Sequence, residues 1–94
     1  MRIVSGKFRS KKIHPPPGLP VRPTTDFAKE GLFNVLNNLV DFEEIEVLDL
    51  FSGTGSIAYE FISRGCKDIV AVDIDHKCTS FIQRTGELLN ADCL

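Results

Sequence analysis

Apolar positions recur along this chain with three different spacings, and each spacing predicts a different kind of element. The first fourteen residues alternate loosely: Ile3, Phe8 and Ile13 stand among Arg, Lys and Ser, with Ser5-Gly6 offering a turn, which predicts a short hairpin. Pro15-Pro16-Pro17-Gly18-Leu19-Pro20 then forbids both helix and ladder bonding, because each Pro fixes φ and lacks a donor. It reads as a stiff connector. Beyond Arg22-Pro23-Thr24-Thr25-Asp26, the residues Ala28, Leu32, Val35, Leu36 and Leu39 follow helical spacing, so a helix capped by Thr25 or Asp26 is expected to run to about Val40. No capping box supports its start, since Ala28 and Lys29 stand where Glu or Gln would be needed.

After the acidic turn Asp41-Phe42-Glu43-Glu44, the spacing changes. Val47-Leu48-Asp49-Leu50-Phe51 and Asp68-Ile69-Val70-Ala71-Val72-Asp73 are apolar at consecutive positions, the pattern of parallel strands covered on both faces. Between them, Ile57, Ala58, Phe61 and Ile62 form one helical face that stops at Gly65. A last helix is expected from about His76 to Asn90 through Cys78, Phe81, Ile82, Leu88 and Leu89, weakened at Gly86 by roughly 1 kcal/mol relative to Ala. The sum is a βαβ unit, hence an α/β fold.

Composition narrows this picture. Ninety-four residues, 43% hydrophobic and 26% charged, allow one small globular domain and exclude a two-domain enzyme. A chain of this size hides only about 60–65% of its unfolded surface, so its core is thin. No apolar run approaches the roughly 18 residues of a membrane span, and the opening residues lack the apolar stretch of a secretory signal, so a cytoplasmic location is expected. Cys66, Cys78 and Cys93 are odd in number and lack CxxC spacing, which indicates reduced thiols rather than a disulfide framework or a zinc site. His14 and His76 are isolated and read as surface residues. The net charge of −2 conceals a division: residues 1–25 hold six basic side chains and no acid, whereas residues 26–94 hold five basic against thirteen acidic. Clustered Lys and Arg suit a polyanion such as nucleic acid through counterion release.

The chemistry sits in Ser52-Gly53-Thr54-Gly55-Ser56, a tight loop between the first strand and its helix. Gly53 and Gly55 let a ligand lie against bare main chain, and the following helix presents free amides and a positive dipole end. Asp73, twenty residues beyond Gly53 at the end of the second strand, can accept both hydroxyls of a ribose. This order points to a nucleoside cofactor. Gly53-Thr54-Gly55-Ser56-Ile57-Ala58 also satisfies the dinucleotide pattern GxGxxG/A, which keeps an NAD-dependent oxidoreductase open. Asp49, within the strand four residues ahead of Gly53, would bury an unpaired charge beside a pyrophosphate but suits a cationic ligand such as S-adenosylmethionine. The alternative for Asp49 is an acid that caps the loop's own amides.

The stretch Val47 to Ser56, with Arg22-Pro23-Thr24-Thr25-Asp26 upstream and the opening Met1-Arg2-Ile3-Val4-Ser5-Gly6-Lys7, resembles the RsmD-type methyltransferases. The resemblance runs from Met1 through the second strand and weakens after about Lys77. It implies S-adenosylmethionine-dependent methylation of the N2 amine of a guanine in small-subunit (16S) ribosomal RNA. The implied fold is an N-terminal β-hairpin followed by the first half of a class I, Rossmann-like methyltransferase with a parallel sheet. Residues 1–20 would form the basic hairpin and connector, and residues 21–94 the partial domain. Asp49, Phe51, Gly53, Thr54 and Gly55 would hold the methionine end of the cofactor and Asp73 its ribose, with Ser52 and Ile74 completing the set. Lys7, Arg9, Lys11, Lys12 and Arg22 become candidate contacts to ribosomal RNA or the small ribosomal subunit.

One family feature has no counterpart. Such enzymes carry, after a further strand, an Asp/Asn-Pro-Pro-Tyr/Phe tetrapeptide that holds the exocyclic amine and stacks on the flipped base, and no such sequence occurs here. No catalytic residue or metal ligand set is therefore assigned. The chain is expected to be a truncated cofactor-binding half, with an inactive cofactor- or RNA-binding module as the alternative function. Missing neighbours would leave an apolar, unpaired sheet edge, so self-association or instability is expected of the isolated chain.

Overall fold

The computed structural model describes residues 2–15, 25–50 and 52–88, with only the backbone of Leu88. The connector from Pro16, Arg22, Phe51, Leu89, Asn90 and Cys93 lie outside the described residues. Five elements follow in order: α1 (Asp26–Leu36), β1 (Glu46–Leu50), α2 (Ser56–Ser63), β2 (Asp68–Val72) and α3 (His76–Leu88). β1 and β2 pair in parallel, from Glu46 opposite Asp68 to Leu50 opposite Val72. The α/β arrangement is that expected from the first half of a Rossmann-like fold.

The alternation along the strands decides which face is covered. Val47, Ile69 and Ala71 pack with Ala58, Ile62 and Cys66 beneath α2. The opposite face carries Leu48, Leu50, Val70 and Val72, all exposed, Leu48 to 62%. Strands read from sequence as covered on both faces are thus covered on one. Consecutive apolar residues report that two faces prefer burial, but a two-stranded sheet with one crossover helix covers a single face.

A second cluster joins the N-terminal segment to the helices: Ile3 and Ile13 are buried with Tyr59, Phe81 and Ile82, while Phe8 and Ala71 pack against both clusters. The expected hairpin contracts to one antiparallel bridge, Arg2 with Lys12. Ile3 still donates to the Lys11 carbonyl and Ser10 to the Ile3 carbonyl, but other amides go elsewhere. Val4 and Ser5 donate their amides to the two oxygens of Glu60 (2.8 and 3.1 Å), Phe8 to the Ser63 hydroxyl (2.9 Å) and Lys7 to the Ser63 carbonyl (2.7 Å). The Ser63 hydroxyl returns a bond to the Ser5 carbonyl. A segment whose amides are satisfied by α2 has little need of a ladder.

α1 begins as expected, with the Thr25 hydroxyl accepting from the Ala28 amide, and ends earlier than expected. After Leu36 the amides of Asn38 and Leu39 reach back three residues instead of four, closing the helix in a turn before Val40. Its buried face is also not the apolar one read from sequence. Leu32, Val35 and Leu39 are exposed, and the buried residues are Lys29 and Phe33. Phe33 enters an aromatic trio with Phe42 and Phe61, at ring-centroid distances of 5.9 and 4.7 Å, capped by the Arg64 guanidinium 4.6 Å from the Phe33 centroid. Lys29 is drawn in by charge, through Glu60.

Candidate functional site

The glycine loop runs from the end of β1 to the start of α2. Ser52 extends the parallel pairing by donating its amide to the Val72 carbonyl (2.9 Å), and its hydroxyl bonds the same oxygen. Gly53 and Gly55 both adopt positive φ, 56° and 83°. At Gly55 a side chain would also collide, since a Cβ would lie 2.6 Å from the Tyr59 ring and hydroxyl. Gly55 then caps α2 in a left-handed conformation with no side chain to accept from the first turn. Thr54 and Ser56 are buried within the loop.

The two acids divide the roles that the sequence left open. Asp73 Oδ2 accepts the Gly53 amide at 2.8 Å and Oδ1 accepts the Asp75 amide at 2.9 Å, so Asp73 ties the loop to the end of β2. Asp49 does not cap the loop in this way. Its Oδ2 is buried without a hydrogen-bond partner, and burial, reinforced by the negative charge of Asp73, pushes its carboxyl above the usual range. A desolvated oxygen beside a second carboxylate suits a cationic group. Ile74 follows at the lip, 98% exposed, an apolar surface next to the acid.

The structure therefore brings Asp49, Ser52, Gly53, Thr54, Gly55 and Asp73 around one loop, with Ile74 next to Asp73; Phe51, also of that expected set, lies outside the described residues. S-adenosylmethionine fits these groups: its ammonium and sulfonium suit the unpartnered Asp49 oxygen, and main chain bared at Gly53 and Gly55 admits close approach. Lys7, Arg9, Lys11 and Lys12 are all exposed on the N-terminal segment, with Lys7 Nζ 5.2 Å over the Phe8 ring. Among the described residues no acid forms an ion pair with any of these four. Arg2, by contrast, pairs with Asp26 at 3.3 Å. Among the described residues, no helix is long and apolar enough to cross a membrane and no three His, Cys, Asp or Glu side chains gather as metal ligands. His14 and His76 are exposed.

Sequence reading missed a buried ionic cluster beside the loop. Glu60 is 0% and Lys29 1% exposed, and the two approach to 3.6 Å. Glu60 Oε2 also takes the Arg64 Nε at 2.8 Å. Lys29 Nζ donates to the Arg2 carbonyl and, at 3.1 Å, to the hydroxyl of Ser56, the first residue of α2. Burial lowers the Lys29 pKa, opposed by the attraction of Glu60 and Asp26. A signal was available: Ser56, Glu60 and Ser63 recur at helical spacing, a polar stripe on a helix otherwise apolar.

Residues 1–93 match the family described as Conserved hypothetical protein 95. The putative rRNA methyltransferase YlbH of Bacillus subtilis is 35% identical over 83 residues, covering 88% of this chain and 44% of that protein. The ribosomal RNA small subunit methyltransferase D of Haemophilus influenzae is 32% identical over 89 residues, covering 95% of this chain and 45% of its own length. Among solved structures, the putative methyltransferase yhhF of Escherichia coli superimposes with a TM-score of 0.85 at 31% identity, over 99% of this chain and 49% of that one. The chain thus spans less than half the length of these curated relatives. A family match over nearly every residue, on a βαβ unit with this glycine loop, shows that the chain belongs to the Conserved hypothetical protein 95 family, that of the RsmD-type methyltransferases.

Proposed function

We propose that this chain forms the cofactor-holding half of an S-adenosylmethionine-dependent methyltransferase acting on the N2 amine of a guanine in small-subunit ribosomal RNA. The observation that carries the reading is the unpartnered, buried oxygen of Asp49 beside a loop bared by two glycines. A dinucleotide would bring pyrophosphate charge toward that carboxylate, whereas an adenosyl amino acid brings an ammonium. The names of the relatives support an RNA substrate.

Each residue then has a task. Asp49 accepts from the amino group of the ligand. Gly53, Thr54 and Gly55 present main chain to its amino-acid end. Asp73 already spends one lone pair per oxygen on Gly53 and Asp75, and a carboxylate has about four acceptor positions, so it can take ribose hydroxyls without releasing the loop. Ile74 offers its exposed side chain to the adenine face. When bound, S-adenosylmethionine supplies an electrophilic methyl group on sulfonium. Lys7, Arg9, Lys11 and Lys12 hold the phosphate backbone, a contact that orients RNA but reads no sequence.

The groups that would hold the flipped base are absent from this sequence, so cofactor binding and turnover separate in the test. Methyl incorporation into small-subunit RNA is measured with this chain and with a full-length relative. The expected result is incorporation by the relative, and cofactor binding with little or no turnover by this chain. A chain that binds NAD in preference to S-adenosylmethionine would replace the reading with an oxidoreductase one.

A further inference from the structure

Glu60 receives the amides of Val4 and Ser5 from across 56 and 55 residues of sequence, while Lys29 touches both the N-terminal segment, at the Arg2 carbonyl, and the first residue after the glycine loop, at the Ser56 hydroxyl. We propose that Lys29 and Glu60 are positioning residues that lock the basic N-terminal segment and the glycine loop into one unit, so that filling the loop and presenting Lys7, Arg9, Lys11 and Lys12 to RNA are coupled. The inference rests on the proposed function for its two ligands, and on geometry alone for the lock.

The geometry leaves little slack. Lys29 Nζ donates to the Arg2 carbonyl and the Ser56 hydroxyl and lies 3.6 Å from the Glu60 carboxylate. Glu60 divides its oxygens in the same way: Oε1 faces Val4 and Lys29, Oε2 faces Ser5 and Arg64. Lys29, Glu60 and Ser56 are buried, so a slide of either segment would strand a charge or an amide without a partner. Backbone contact tightens the same seam. Gly6 has φ 88°, and a Cβ there would lie 2.1 Å from the Ser63 carbonyl oxygen. An apolar seam could slip by small amounts; a buried ionic one has one register.

The test reads each side of the lock from the other, by amide hydrogen exchange in the full chain. Ser56→Ala removes only the contact on the loop side. It is expected to speed exchange at Val4 and Ser5 about tenfold, together with Gly53 and Gly55, and Ser56→Thr is expected to restore it. Gly6→Ala, on the segment side, is expected to speed Gly55. With ligands, saturating S-adenosylmethionine is expected to tighten a fluorescein-labelled single-stranded oligoribonucleotide several-fold in the unmodified chain and not in Ser56→Ala. Effects confined to the mutated side would overturn the lock, because a merely stabilising contact does not report across the seam. Failure of either ligand to bind the unmodified chain would count against the proposed function, and the ligand-free exchange would still decide the lock.

Discussion

The seam between the N-terminal segment and α2 and the far face of the two-stranded sheet invert the usual relation of charge and water. At the seam, Lys29 and Glu60 are buried with all their polar partners supplied; on the sheet, Leu48, Leu50, Val70 and Val72 stand in solvent. A buried ion pair adds little net stability compared with hydrocarbon of the same shape, but losing one partner is costly. An exposed apolar face costs nothing in register, but it offers other chains a surface to cover. The difference teaches that this chain uses its limited core to fix the position of a basic segment beside the glycine loop, and leaves one apolar sheet face uncovered.

That contrast can be broken most severely at its buried centre. Glu60→Ala removes the buried carboxylate beside Lys29 and leaves two backbone amides unpaired, and should cost about 3 kcal/mol or more in urea unfolding. Gly6→Ala should cost about 2 kcal/mol, since it meets both a positive φ and a backbone clash. Changes on the open face should act on association instead. Sedimentation is expected to find the unmodified chain self-associating, and Leu50→Lys with Val70→Glu to shift it toward monomer with its melting temperature nearly unchanged.

Smaller effects sharpen the picture at the loop. Asp49 has its folded pKa raised above the ordinary value of 3.8, so the folded state holds that proton more tightly than the unfolded state. Stability conferred by the protonated form is complete below 3.8 and is lost as pH rises through the raised value. Asp49→Asn should abolish that loss and stabilise the ligand-free chain near neutral pH by up to about 1 kcal/mol, seen as a flatter dependence of melting temperature on pH. The smallest change in stability belongs to Lys7→Ala and Lys11→Ala, both on exposed side chains. Each should leave the melt within about 0.5 kcal/mol while lowering the salt slope of oligoribonucleotide binding by roughly one.

Much of the fold was legible because it is local. Consecutive apolar runs marked both strands, the glycines marked the loop, and Asp73 fell where the second strand ends. What was not legible depended on contacts between distant residues. Lys29 entered the sequence reading only as a residue that cannot complete a capping box, because its partner Glu60 lies 31 residues later on another element. The exposure of Leu32 and Val35 followed from that same pairing, which turns Lys29 and Phe33 inward and the expected stripe outward. The hairpin failed to lengthen for a similar reason, since Glu60 and Ser63 compete for the amides that a ladder would use. At the site, spacing identified both acids but could not say which of them the loop itself would occupy. That required the bond from Gly53 to Asp73 and the orphaned oxygen of Asp49.

The most direct measurement is calorimetric titration of the chain with S-adenosylmethionine, repeated in Asp49→Asn and Asp73→Ala and beside a titration with NAD. Binding of S-adenosylmethionine is expected in preference to NAD, weakened about tenfold or more by either substitution, even though Asp49→Asn makes the free chain more stable. Equal affinity in all three proteins would contradict it, and would remove the two carboxylates from the place where the ligand binds.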